Sequence, residues 1–154
     1  MIRDYKKDLG RIVTLCSILI VIIWLASCGN GTNKPTQLNY GKYIAYNRGD
    51  TAIALLNISK KIFSGSLEIN YHGAYKDSGE VKGIVKDDTL IGEFHFLHYQ
   101  LEWKRKPLAL LRKKDKMIMG EGFTKFTVGI PHFDPQVPIN FDENERFVFV
   151  EVKK

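Results

Sequence analysis

The chain has 154 residues, 44% of them hydrophobic and 26% charged, with a formal net charge of +6. That length suits one domain with a real core, and the basic excess is mild, well short of a nucleic-acid footprint. Only two cysteines are present, Cys16 and Cys28.

The first predicted element is an export signal. Arg3, Lys6, Lys7 and Arg11 form a basic start, Ile12 to Ala26 is nearly all apolar, and the small residues Ala26 and Ser27 follow. Basic start, apolar core and small residues at the cut make a secretory signal peptide over 1–27. As a helix the apolar run reaches roughly 22 Å, short of the roughly 30 Å of hydrocarbon a permanent span must cross. The tetrad Leu25-Ala26-Ser27-Cys28 resembles the lipobox of bacterial lipoproteins: an aliphatic residue, two small residues, then cysteine. The resemblance implies that Cys28 is diacylated and becomes the first residue of the mature chain. More than one acyl chain suffices for stable anchoring. Cleavage removes four basic residues together with Asp4 and Asp8, taking +6 to +4. Cys16 leaves with the signal and Cys28 carries lipid, so the mature domain is expected to have no free thiol, no disulfide and no Cys-based metal site.

Residues 28–41 read as a lipidated tether, rich in Gly, Asn and Pro and without apolar periodicity. In Bacteroidota-type lipoproteins, which the chain resembles in style, an acidic cluster beside the cysteine often marks export to the cell surface. None is present here. Gly29 also stands where an aspartate would retain an enterobacterial lipoprotein at the inner membrane. The resemblance therefore implies an outer-membrane anchor facing the periplasm.

From Lys42 the pattern has period two, which predicts a single all-β domain over 42–154. Predicted strands are 42–47, 51–58, 61–71, 79–86, 89–98, 100–106, 108–112, 116–121, 123–128 and 145–152. Turn signals separate them, among them Arg48-Gly49-Asp50, Lys76-Asp77-Ser78-Gly79, Asp87-Asp88 and Lys113-Lys114-Asp115. Ile130 to Pro138, with three prolines, reads as a crossing loop. Short strands at this spacing predict an antiparallel meander closing into a barrel or a sandwich, similar in style to a lipocalin.

Two hairpins have a predictable register. With Asp87-Asp88 at the turn, Val85 faces Leu90, Gly83 faces Gly92 and Val81 faces Phe94, while Lys82 meets Glu93 on the other side. Ile84 and Ile91 stand as exceptions on that polar side. With Ser59-Lys60 at the turn, Leu56 faces Phe63, Ala54 faces Gly65 and Ala52 faces Leu67. Small residues thus face inward in both hairpins. On this reading Gly92→Leu separates a cavity, which would accept the side chain, from a packed core, which would not.

No catalytic constellation emerges. His95 and His98 point oppositely on a strand, and His72 and His132 are isolated, so no metal set is expected. Ser64-Gly65-Ser66 lacks the nucleophile elbow. Asp142-Glu143-Asn144-Glu145 lacks the ligand spacing of a calcium loop and reads as a solvated turn. Glu102 beside Trp103 has no second carboxylate at glycosidase distance. Lys104-Arg105-Lys106 and Arg112-Lys113-Lys114 read as a solvated hairpin rim, or as a contact for anionic headgroups. Phe63-Ser64-Gly65-Ser66-Leu67, Gly79 to Gly83 and Asp87-Asp88-Thr89-Leu90-Ile91-Gly92 resemble segments of small all-β lipoproteins of Bacteroidota, a resemblance that implies no particular activity.

The sequence therefore predicts a non-enzymatic, cofactor-free binding module on the envelope, for a small apolar ligand or a protein partner. Phe63, Phe94, Phe96 and Trp103 are its candidate ligand contacts. The rival reading is a structural or assembly lipoprotein without a small ligand.

Overall fold

Alternating inward apolar and outward polar residues give strands that bury one face each, and eight of them close on themselves. The computed structural model describes residues 39–153. The predicted signal peptide, Cys28 and most of the tether lie outside that range. The described strands are β1 (Gly41–Asn47), β2 (Asp50–Ile58), β3 (Ile62–Tyr71), β4 (Tyr75–Lys86), β5 (Thr89–His98), β6 (Glu102–Lys113), β7 (Lys116–Met119), β8 (Thr124–Thr127), β9 (Ile130–Phe133) and β10 (Val148–Glu151). All but β8 and β9 form a closed antiparallel barrel in the order β1-β10-β7-β6-β5-β4-β3-β2. The domain is all-β, a lipocalin-like barrel and not a sandwich.

The β4–β5 hairpin has the expected register: Val81 with Phe94, Gly83 with Gly92, Lys82 with Glu93. Lys82 and Arg105 both bridge Glu93 on the outside, at 3.3 and 3.4 Å. Exposed pairs of this kind contribute under about 1 kcal/mol each, so they select the face more than they stabilise it. The stabilising side is the inner one. Leu56, Phe63, Leu67, Ile69, Val81, Leu90, Phe94 and Phe149 are buried in one cluster, and each is worth roughly 1.5–3 kcal/mol of transfer. Ile84 is not covered by a neighbour: it is exposed on the outer wall, paired with the equally exposed Ile62.

Several expected elements differ. In the β2–β3 hairpin the pairing slips by two, so that Ile58 faces Phe63, Leu56 faces Gly65 and Ala54 faces Leu67. The faces are kept. The cause is a four-residue turn from Ser59 to Ile62: the Ser59 N–H donates to the Ile62 carbonyl at 2.9 Å. The Ser59 hydroxyl donates to the same oxygen at 2.8 Å. The turn expected at Lys76–Gly79 lies instead at His72-Gly73-Ala74, where His72 and Gly73 have φ of 50° and 74°. Asp77 continues β4 with its side chain inward.

Pro107 does not divide two strands; β6 runs through it. The Ala109 carbonyl accepts from Gly120 N–H on the β7 side, and Pro107 shares that orientation. At Pro107, however, β7 has ended, because it pairs only with residues 110–113 of β6. The missing proline donor therefore leaves no ladder bond unmade. Pro131 likewise lies in a strand, β9, and not in a loop. The β8–β9 hairpin is two-stranded, and a proline there is tolerated on an outer edge. Its turn is Val128-Gly129, with φ of 51° and 78°, as a type I′ turn requires. The last strand is shorter than expected, β10 beginning only at Val148.

Candidate functional site

The meander gives the barrel two unlike ends. One carries the short loops after β2, β4 and β6, and both ends of the described chain. The other carries the loops after β1, β3 and β5, together with the long excursion from Gly120 to Phe147. On this second end the wall is incomplete, because twelve-residue β6 faces four-residue β7. The excursion fills the gap: the Asn140 and Glu121 backbones pair there, and Asn47 Nδ2 donates to the Glu145 carbonyl at 3.2 Å.

Between wall and excursion lies a half-open pocket of about 460 Å³. Leu108, Met119, Phe133 and Phe147 give it apolar surface, and Asn47, Tyr71, Lys106, Glu121, Glu145 and Arg146 give it polar groups. Lys106 is placed by strand parity. It pairs with Phe94 across the β5–β6 ladder and shares a face with Leu108 and Leu110, all directed inward. Its Nζ stands 5.4 Å from the Phe94 ring centre and 5.3 Å from that of Phe96. Those two rings stack at 4.6 Å. No described carboxylate comes within 4.0 Å of this ammonium. Burial pushes its pKa below the ordinary lysine value, and the charge of Asp77 draws it partly back.

Asp77 is itself buried, at 3% exposure, on the inner face of β4. Its carboxylate is already engaged: His98 Nδ1 lies 2.7 Å from one of its oxygens. Burial first and the Asp77 charge second push the Tyr71 phenol far above its ordinary pKa, so it remains a donor. Tyr75 stacks between Tyr71 and Tyr99 at 4.4 and 4.2 Å, roofing this group. On the opposite side of the pocket Arg146 reaches Glu121 at 2.6 Å through one terminal nitrogen. Its Nε is buried without an acceptor.

None of the four predicted ligand contacts lines the mouth pocket. Phe63, Phe94 and Phe96 are buried in the core, at 2%, 0% and 5% exposure. Trp103 is exposed on the outer face against His95, ring centres 4.8 Å apart. Phe94 and Phe96 reach the pocket only through Lys106. The inward glycines open no cavity either. A Cβ on Gly92 would run into the Lys82 carbonyl oxygen and come within 2.7 Å of the Gly83 Cα. Gly92→Leu therefore clashes with backbone whatever the barrel holds, and does not separate a cavity from a packed core.

No family model, curated protein or solved structure matches it.

The basic clusters also differ from a solvated rim. Lys106 turns inward, and so does Arg112, which donates to the Asp87 carbonyl at 3.0 Å. Lys113 and Lys116 both pair with Glu143, so the acidic turn expected to be solvated clamps the excursion to the β6–β7 hairpin. Among the described residues no group of three or more His, Cys, Asp or Glu side chains converges as a metal set. The residues missed by sequence reasoning are Asp77, His98, Tyr71, Lys106 and Arg146. For Lys106 the signal was present: reading 102–113 as one strand puts it in step with Leu108 and Leu110.

Proposed function

We propose that this chain is a lipid-anchored envelope protein, held to the outer membrane through Cys28, whose barrel binds a small ligand with an apolar body in the mouth pocket. It acts by binding, without a covalent step and without a cofactor. One observation carries the reading: where the barrel wall is split, a pocket of about 460 Å³ combines apolar surface with Lys106, whose ammonium faces two phenylalanine rings and no described carboxylate within 4.0 Å. That volume lies in the range of small-molecule sites, and a few convergent polar groups on an apolar lining are their usual chemistry. The described chain begins at the end of the barrel opposite the mouth.

The test is to fill the mouth without touching the core. Thr124 lines the pocket from the exposed start of β8. Thr124→Trp should leave the melting temperature unchanged and abolish the small molecule found by mass spectrometry in organic extracts of protein purified from native membranes. If extracts of wild type and variant are the same, the pocket is not the site.

A second reading, docking of a protein partner, is favoured by the mouth loops. Leu101 and Val128 are 85% and 96% exposed, and Tyr46, Trp103 and Phe126 stand out on the same end. Exposed apolar clusters of this kind mark interaction surfaces.

A further inference from the structure

Several lysines on the outside of this barrel pair with carboxylates: Lys76 with Glu68, Lys82 with Glu93, Lys104 with Glu102, Lys125 with Asp134. The one directed into the barrel, Lys106, has none among the described residues. A buried charge normally persists only when paired, because desolvation costs several kcal/mol. The charge of Asp77 acts on it, but that carboxylate is committed to His98. The stacked rings of Phe94 and Phe96 compensate only in part.

We infer that the mouth pocket selects a ligand with an anionic end, a carboxylate on an apolar body, and that Lys106 is its counter-ion. This rests on the small-ligand reading of the same pocket and adds the chemistry of the headgroup. Arg146, the other cation of the lining, faces two carboxylates, Glu121 at 2.6 Å and Glu145 at 3.7 Å. Lys106 is therefore the lining cation without a carboxylate partner among the described residues. A monoanion matches that single charge; a phosphate monoester, approaching two negative charges, exceeds it. The apolar body then lies along Leu108, Met119, Phe133 and Phe147.

The probes are dodecanoic acid, dodecanol and dodecyl phosphate, equilibrated with the full chain in nonionic detergent and read by native mass spectrometry. Micelle partitioning cancels between wild type and Lys106→Met, which replaces a buried charge by an apolar chain of similar length and is expected to fold. Wild type should prefer the acid over the alcohol by at least about tenfold relative to the variant. Lys106→Met should still bind the alcohol. Three results would overturn the inference: equal binding of acid and alcohol by wild type, an acid preference that survives Lys106→Met, or dodecyl phosphate binding more tightly than the acid. In each of these the pocket still binds and the small-ligand reading stands. Failure of wild type to bind any probe would remove that reading along with the inference.

Discussion

Gly92→Ala should be one of the most damaging single substitutions in the barrel, although it adds a single methyl. Gly83 and Gly92 face each other on β4 and β5. The added Cβ would collide with the Lys82 carbonyl oxygen and stand 2.7 Å from the Gly83 Cα and 2.8 Å from the Lys82 carbonyl carbon. Ordinary carbon contacts lie at about 3.5–4.0 Å, so the strands must part by about 1 Å. All three obstacles are backbone and cannot rotate away. Overpacking costs about 1–3 kcal/mol, and the neighbouring ladder bonds weaken by about 1 kcal/mol each, for a total of about 3–5 kcal/mol. In a domain of this size that lowers Tm by about 10–20 °C. Urea unfolding followed by far-ultraviolet circular dichroism measures it. Gly73→Ala is the control: its φ is +74° with nothing within 4 Å of the added atom, so only backbone strain applies, about 1–2 kcal/mol. A loss under about 1 kcal/mol for Gly92→Ala would refute the idea that close strand approach requires these glycines.

Lys106→Met should raise stability by about 1–3 kcal/mol at pH 7, since the desolvation of a buried, unpaired ammonium outweighs its attraction to two phenylalanine rings. The sign with pH follows from its lowered pKa. Between the folded and unfolded values the unfolded chain binds more protons, so wild-type stability rises with pH through that window. The variant should lack that rise, which urea titrations across the alkaline range would reveal; a variant less stable than wild type would contradict it. Cys28→Ser should release the domain from membranes or block processing of its precursor. Mass spectrometry showing an unmodified Cys28 in the native protein would exclude the anchor.

The closed barrel was legible because its strands obey a simple alternation. Val81, Gly83 and Val85 against Phe94, Gly92 and Leu90 fix a register that charge pairing at Lys82 and Glu93 confirms. Prolines and turn-forming residues misled where tertiary context overrode them. Pro107 breaks a strand only if both its edges are paired, and how far β7 extends is not written at Pro107. Asp77 looks like a turn residue in Lys76-Asp77-Ser78-Gly79. Its partner His98 lies on β5, so its role as a buried acceptor exists only once the two strands align. The pocket was least legible of all. It arises from the unequal lengths of β6 and β7 and from an excursion whose path no local pattern encodes.

The seam of the barrel carries a further consequence. β1 and β10 meet in a short ladder, Tyr43 with Glu151 and Ile44 with Val150, extended by Val152 N–H to the Lys42 carbonyl at 2.8 Å. Every neighbouring pair from β1 to β7 is joined by a tight hairpin and can form while the chain is still incomplete. The seam cannot, because its strands lie at the two extremes of the domain and their meeting bears the largest loop-closure entropy. Ring closure is therefore the late event of folding. The same junction, few in hydrogen bonds, is where the native wall opens first.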